Sequence, residues 1–168
     1  MLPIVLDPNA VAIGLAGAGD GLARRQAMLD GAGVHPVRLA PDAPDEALRG
    51  LTALFVAGLP HHLSQPLAAR ARLHGVLVNV EDVPALCDFH VPAAVRRGDL
   101  LLTVSTGGKA PGLAKLVRQW LDRRLDREWD AHLTEVEDAR QSWRAAGHSL
   151  AEVSRRTRAL VAEKGWLK

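Results

Sequence analysis

Two adjacent carboxylates, Glu81 and Asp82, stand at the end of the apolar run Gly75-Val76-Leu77-Val78-Asn79-Val80. A hydroxyl, glycine and lysine cluster, Ser105-Thr106-Gly107-Gly108-Lys109, stands at the end of a second run, Leu100 to Val104. A carboxylate at a strand tip is a candidate general base, and a second negative charge beside it tunes such a base. Asp82 is that candidate and Glu81 its neighbour; the alternative is a pair of loop acids before a turn at Pro84. The second cluster has the makings of an anion site, because unpaired amides and the positive dipole end converge where a helix begins. The same residues also suit an ordinary helix cap. Asn79 and Asp88 flank the carboxylates; Asp88 is assigned to structure rather than chemistry.

Upstream, the apolar run Ala10 to Ala16 leads into Gly17-Ala18-Gly19-Asp20-Gly21-Leu22. A buried strand followed by a glycine turn opens a dinucleotide-binding βαβ unit, with Gly17 for the turn and Gly19 for close approach to a pyrophosphate. Leu22 occupies the third position of the fingerprint, where glycine or alanine is usual, and a plain strand-to-helix turn is the competing reading. Apolar spacing predicts a helix over 22–31, stopped by Gly31-Ala32-Gly33. Strands follow over 34–40 and 51–57, and a helix over 63–74. This alternation predicts an α/β, Rossmann-like, mostly parallel sheet. Asp42, just past the second strand, is the nearest acid for a ribose, with a solvated loop acid as the alternative. No arginine stands at that tip, although Arg38 is near, which favours NAD over NADP.

Composition bounds the rest. With 168 residues, 48% hydrophobic and 24% charged, the chain suits one ordinary domain, with room for a small appended one. No apolar run is long enough to cross a bilayer, and the start lacks the pattern of a signal peptide, so a cytoplasmic protein with no membrane partner is expected. Cys87 is the single cysteine, in keeping with a reducing compartment. Residues 1–90 carry 6 Lys and Arg against 9 Asp and Glu, net −3; residues 91–168 carry 15 against 10, net +5. The second part thus suits either an anionic partner or a solvated helical surface, and no nucleic-acid partner is expected.

Taken together, Leu2-Pro3-Ile4-Val5-Leu6-Asp7, Gly17 to Asp20 with Arg24-Arg25, Val78 to Asp82, Leu86 to Phe89, Pro92, Arg96 to Leu100, and Ser105 to Pro111 resemble the precorrin-2 dehydrogenase and sirohydrochlorin ferrochelatase family, the siroheme synthase N-terminal type. The resemblance covers about residues 1–126. It implies a Rossmann-like NAD-binding domain over 1–90, a dimerisation segment over 91–126, and a small helical domain over 127–168, assembled as a homodimer. It further implies oxidation of precorrin-2 to sirohydrochlorin and, in many members, insertion of ferrous iron. Both steps remove protons, so both need a base, and the family's aspartate falls on Asp82. The cofactor would be NAD, held by Gly17, Gly19, Asp20, Gly21, Leu22, Asp42, Gly58 and Asn79. The tetrapyrrole's carboxylates would meet Ser105, Thr106, Gly107 and Lys109, with Arg96 or Arg97. Two departures stand out. Ala57-Gly58-Leu59-Pro60-His61-His62 replaces the small, Thr, acid-or-amide order usual beside the nicotinamide, and Ala110 stands where serine is common. They leave open a chelatase without the redox step, or a nucleotide- or tetrapyrrole-binding module without catalysis.

No resident metal site is expected, since the only close histidine pair is His61-His62 and no C-x-x-C or H-E-x-x-H spacing occurs. Iron would be a passing substrate held by the macrocycle's own nitrogens. The tail reads as a helix over 129–143 and a last one opened by the capping box Ser149-Leu150-Ala151-Glu152, ending near Gly165. Arg155, Arg156 and Arg158 on that helix suit a solvated face or a carboxylate-rich substrate.

Overall fold

The structure, a computed structural model, describes residues 2–167. The chain divides after Val91 into two compact units. In the first, β1 (Ile13–Gly17), α1 (Gly19–Asp30), β2 (Val37–Leu39), α2 (Asp45–Leu48), β3 (Ala53–Ala57), α3 (His61–Leu73) and β4 (Leu77–Val80) alternate, as the sequence predicts except for the short α2. The four strands are parallel, in the order β2-β1-β3-β4. The path moves outward from β1 to β2 and then returns past β1 to β3. The carboxyl ends of β1 and β3 therefore form the switch point at which open α/β sheets bind ligands.

The strands are shorter than their apolar runs. β2 pairs with β1 only from Val37 to Leu39, because Pro36 has no amide to add to the ladder. In the other direction, α1 begins three residues earlier than its apolar spacing suggests, since the glycine turn is itself the helix's first turn. Two apolar layers hold the sheet. Ile13, Leu15, Leu29, Ala53 and Phe55 cluster on one face, and Ala16, Leu48, Leu54, Val56, Leu67, Val78 and Val80 on the other. Each fully buried leucine or valine here stabilises by about 1.5–3 kcal/mol. Strand alternation puts Asn79 on the first face, in register with Phe55.

In the second unit, β5 (Ala93–Arg97) and β6 (Leu100–Val104) form an antiparallel hairpin, followed by α4 (Pro111–Arg124), α5 (Trp129–Ala145) and α6 (Leu150–Lys164). Strand β5 is illegible in isolation: Ala93-Ala94-Val95-Arg96-Arg97 has weak strand propensity, and only β6 makes it one. Helix α6 starts as the sequence predicts. Ser149 Oγ accepts from the Glu152 amide at 3.3 Å and Glu152 Oε2 accepts from the Ser149 amide at 2.9 Å. It ends at Gly165, whose φ of +66° is the left-handed cap. Among the described residues no helix is long and apolar enough to cross a membrane.

Candidate functional site at the strand ends

The β1–α1 and β3–α3 turns meet backbone to backbone at the switch point. A Cβ on Gly17 would lie 2.2 Å from the Ala57 carbonyl oxygen, and one on Gly58 would lie 2.2 Å from that of Ala18. Gly58 also sits at φ +67°. Gly21 is buried against Gly58, where a Cβ would come within 2.8 Å of the Gly58 amide nitrogen. Gly19 differs from all three: at φ +57°, a Cβ there would meet nothing within 4 Å. Three glycines thus allow close packing, and the fourth presents open backbone beside the amino end of α1, where unpaired amides suit a pyrophosphate.

Leu22 is a correction to the expected cofactor set. Its side chain packs against the core cluster around Leu15 and Phe55. The close approach expected of the fingerprint's third glycine is made one residue earlier, by Gly21, so the sequence mismatch at 22 is a shift in register. Asp20 is exposed in the first turn of α1, and Asp42 is exposed beyond the carboxyl end of β2. Arg38 lies within β2 and donates to Gln26 Oε1 at 2.9 Å. His61 and His62 are exposed on the first turn of α3, and no three metal-binding side chains gather among the described residues.

Asp82 lies just past the carboxyl end of β4. The Val83 amide donates to the Val80 carbonyl at 3.3 Å, closing a four-residue turn in which Asp82 holds the third position at φ +60°. That is the type II position where glycine or asparagine is usual. Among the described residues Asp82 is the one non-glycine at positive φ; its carboxylate is exposed and accepts no hydrogen bond from them. Glu81 does not act as its partner. Its Oε2 turns to α1, 3.6 Å from an Arg24 guanidinium nitrogen and against Gly21.

Beneath this turn is a polar cluster that sequence spacing does not reveal. Arg25 stacks over Phe55 at 5.2 Å, and its Nε is buried without a partner. Burial pushes this guanidinium below its ordinary pKa, while Glu81, Cys87 and Asp82 pull it back. Asn79 is a second correction. It is buried, its Nδ2 donates inward to the Phe89 carbonyl at 2.9 Å and its Oδ1 is buried without a partner among the described residues, so the amide nitrogen braces the chain after Asp82. Asp88 is structural, as expected, and acts at a strand edge. Its amide donates to the Val78 carbonyl at 2.7 Å and its Oδ2 accepts from the Val78 amide at 2.8 Å. Arg72 pairs with it at 2.9 Å.

In the second unit, Ser105 to Lys109 form the loop between β6 and α4. Ser105 Oγ accepts from the Gly107 amide at 3.3 Å and Thr106 Oγ1 from the Ala110 amide at 3.2 Å. Each hydroxyl keeps its proton to donate. Gly107 and Gly108 both have positive φ, and Ser105, Gly107, Lys109 and Arg96 are exposed. Arg97 is the third correction. Its Nε donates to the Leu125 and Asp126 carbonyls, and one terminal nitrogen to the carbonyl and carboxylate of Asp122, at 2.8–2.9 Å. It therefore caps the carboxyl end of α4 and is not free for substrate, because those carbonyls have no intrahelical donor. A cation 25 or more residues upstream of a helix end carries no local sequence signal for that role.

Residues 4–93 match a family described as "Putative NAD(P)-binding". A siroheme synthase of Ectopseudomonas mendocina is 42% identical over 71 residues, covering 42% of this chain and 15% of that protein. Another, from Thiobacillus denitrificans, is 32% identical over 141 residues, 72% of this chain and 29% of that protein. The chain thus spans less than a third of these curated relatives. Among solved structures, SirC, a precorrin-2 dehydrogenase, superposes with a TM-score of 0.74 at 18% identity, covering 100% of this chain and 93% of that one. At that identity the likeness is one of fold.

Proposed function

This chain belongs to the NAD(P)-binding family of the precorrin-2 dehydrogenase and siroheme synthase N-terminal type, and we propose that it oxidises precorrin-2 to sirohydrochlorin with NAD in the cytoplasm. The observation that carries this reading is Asp82, a carboxylate kept at a backbone position that suits glycine, at the carboxyl end of a strand in a dinucleotide-type sheet.

The residues present fit the cofactor. The open face of Gly19 beside the amino end of α1 would take the pyrophosphate, and Asp42 beyond β2 the ribose hydroxyls. Engagement of Arg38 by Gln26 supports NAD over a 2′-phosphorylated form. A bound nicotinamide supplies the hydride acceptor. Asp82 accepts the proton that the tetrapyrrole loses in the same oxidation, and its exposure lets water carry that proton away. Taken by itself, the second unit exposes Lys109 and Arg96 and leaves the hydroxyl protons of Ser105 and Thr106 free, a set suited to carboxylate groups. Insertion of ferrous iron into sirohydrochlorin releases two pyrrole protons, and we assign the same carboxylate to accept them one at a time, passing each to water before the next.

A second copy is the partner of the second unit. Leu113, Leu116, Val117 and Trp120 form an exposed stripe at helical spacing on α4, and such a stripe is expected to be buried against another surface. The decisive experiment is anaerobic: precorrin-2 and NAD are mixed with the protein, and NADH appearance is followed for the wild type and Asp82→Ala. Reduction by the wild type and its loss in the variant are expected; no NADH from the wild type overturns the dehydrogenase reading. Adding ferrous or cobaltous ion to sirohydrochlorin tests the second step, which fails if insertion matches the uncatalysed rate.

A further inference from the structure

We propose that Cys87 and Asn79 are positioning residues for Asp82, locking from below the turn that carries it; this rests on the reading of Asp82 as proton acceptor. The Cys87 sulfur lies 3.3 Å from the Val80 amide nitrogen, 3.2 Å from the Val80 carbonyl oxygen and 3.4 Å from that of Val83. Val80 and Val83 are the first and last residues of the Asp82 turn. One side chain therefore touches both ends of the turn, accepting from one amide and donating its single proton to either carbonyl. The turn's own closing bond is long, at 3.3 Å, and an aspartate at φ +60° persists only where its surroundings over-determine it. The thiol is that surrounding.

Asn79 secures the other end of the strap. Its Nδ2 holds the Phe89 carbonyl at 2.9 Å and lies 3.6 Å from the Cys87 sulfur. Asp88, between them in sequence, is fastened to Val78 by backbone and side chain. The strap from Val80 to Phe89 is thus tied to β4 at both ends, with Asp82 exposed between them. The bonds of Cys87 and Asn79 run to β4 and its strap, and a Cβ on Gly19 would meet no atom within 4 Å, so loosening these braces is expected to act on the carboxylate first, with Glu81 of the same turn the link to Gly21.

The test is a cycle in the whole chain with Asp82→Ala, Cys87→Ala, Cys87→Ser, Asn79→Ala and the double variant Asp82→Ala with Cys87→Ala. Precorrin-2 oxidation gives kcat and KM, and fluorescence titration gives the Kd for NAD. We expect Cys87→Ala and Asn79→Ala to lower kcat about tenfold with the NAD Kd changed less than about twofold, since tenfold corresponds to only about 1.4 kcal/mol of misplacement. Cys87→Ser, which keeps a donor and an acceptor, recovers most of the rate. In the Asp82→Ala background Cys87→Ala has no further effect, because it acts through that residue. Wild-type kcat in both alanine variants, with Asp82→Ala inactive, overturns the positioning role and leaves the base standing. An active Asp82→Ala removes the base and the positioning role together. Should Cys87→Ala fail to fold, the serine and Asn79 variants decide by the same split between kcat and NAD binding.

Discussion

Gly21 and Gly58 meet with no room for a side chain between them: a Cβ on Gly21 would lie 2.9 Å from the Gly58 Cα. This approach, between the first turn of α1 and the loop after β3, sets the width of the crevice at the switch point. Gly19, two residues from Gly21, faces open space instead.

The two kinds of glycine separate packing from binding. Gly58→Ala is expected to destabilise the fold by about 2 kcal/mol or more, since it combines a left-handed φ with a collision against the Ala18 carbonyl. Gly19→Ala meets no protein atom and costs about 1 kcal/mol for its φ alone, yet sets a methyl on the face that would receive the pyrophosphate. Thermal melts with NAD titrations check this: a melt lowered by only about 2–4 °C but a Kd at least tenfold weaker for Gly19→Ala is the expected pair.

Asp82→Gly relaxes the turn, and the protein is expected to gain about 0.5–1 kcal/mol while losing oxidation activity. Asp82→Asn tolerates the same φ without the charge and should be equally inactive with unchanged stability. Denaturant unfolding alongside the NADH assay reads both, and an active glycine variant would count against the carboxylate.

Arg97 caps α4 through the carbonyls of Asp122, Leu125 and Asp126. Arg97→Ala is expected to cost about 2–3 kcal/mol from lost charge-assisted hydrogen bonds. Arg97→Lys should recover little, because an ammonium cannot reproduce the planar fork. At temperatures where the variant is folded, KM for the tetrapyrrole should be unchanged; a large rise in KM would return Arg97 to the substrate site.

Asp45, at the start of α2, is paired with Arg70 at 2.6 Å and lies 3.4 Å from His74 Nε2. The Arg70 hydrogen bond first, with the nearby His74 adding to it, holds its carboxyl below the ordinary 3.8. A carboxyl lowered in the folded state contributes stability above its unfolded pKa, which is lost as pH falls through the folded one. Below about pH 4 the wild type should therefore lose stability more steeply than Asp45→Asn, as monitored by urea unfolding across pH 2.5–6. Parallel curves would remove the pair from the acid response.

The stripe Leu113, Leu116, Val117 and Trp120 is exposed on α4. Leu116→Glu is expected to convert a dimer into a soluble monomer with unchanged helix content, by sedimentation and circular dichroism. A wild type that sediments as a monomer at micromolar concentration would count against the second copy.

By itself the chain was enough to determine the alternation of strands and helices, the glycine turn and the capping box of α6. These are local properties: apolar periodicity, missing side chains at turns, and hydrogen bonds between residues three apart. Its family likeness was legible because many short motifs recur in order. Tertiary structure alone decided what depends on who lies opposite. Leu22 faces the core and Gly21 makes the approach expected of position 22, because only the meeting of two turns shows which residue lacks room. Arg97 belongs to a helix end 25 or more residues later, and β5 exists because β6 pairs with it. Cys87, a lone cysteine in the sequence, spans both ends of the Asp82 turn, because the chain doubles back along β4 and brings it there.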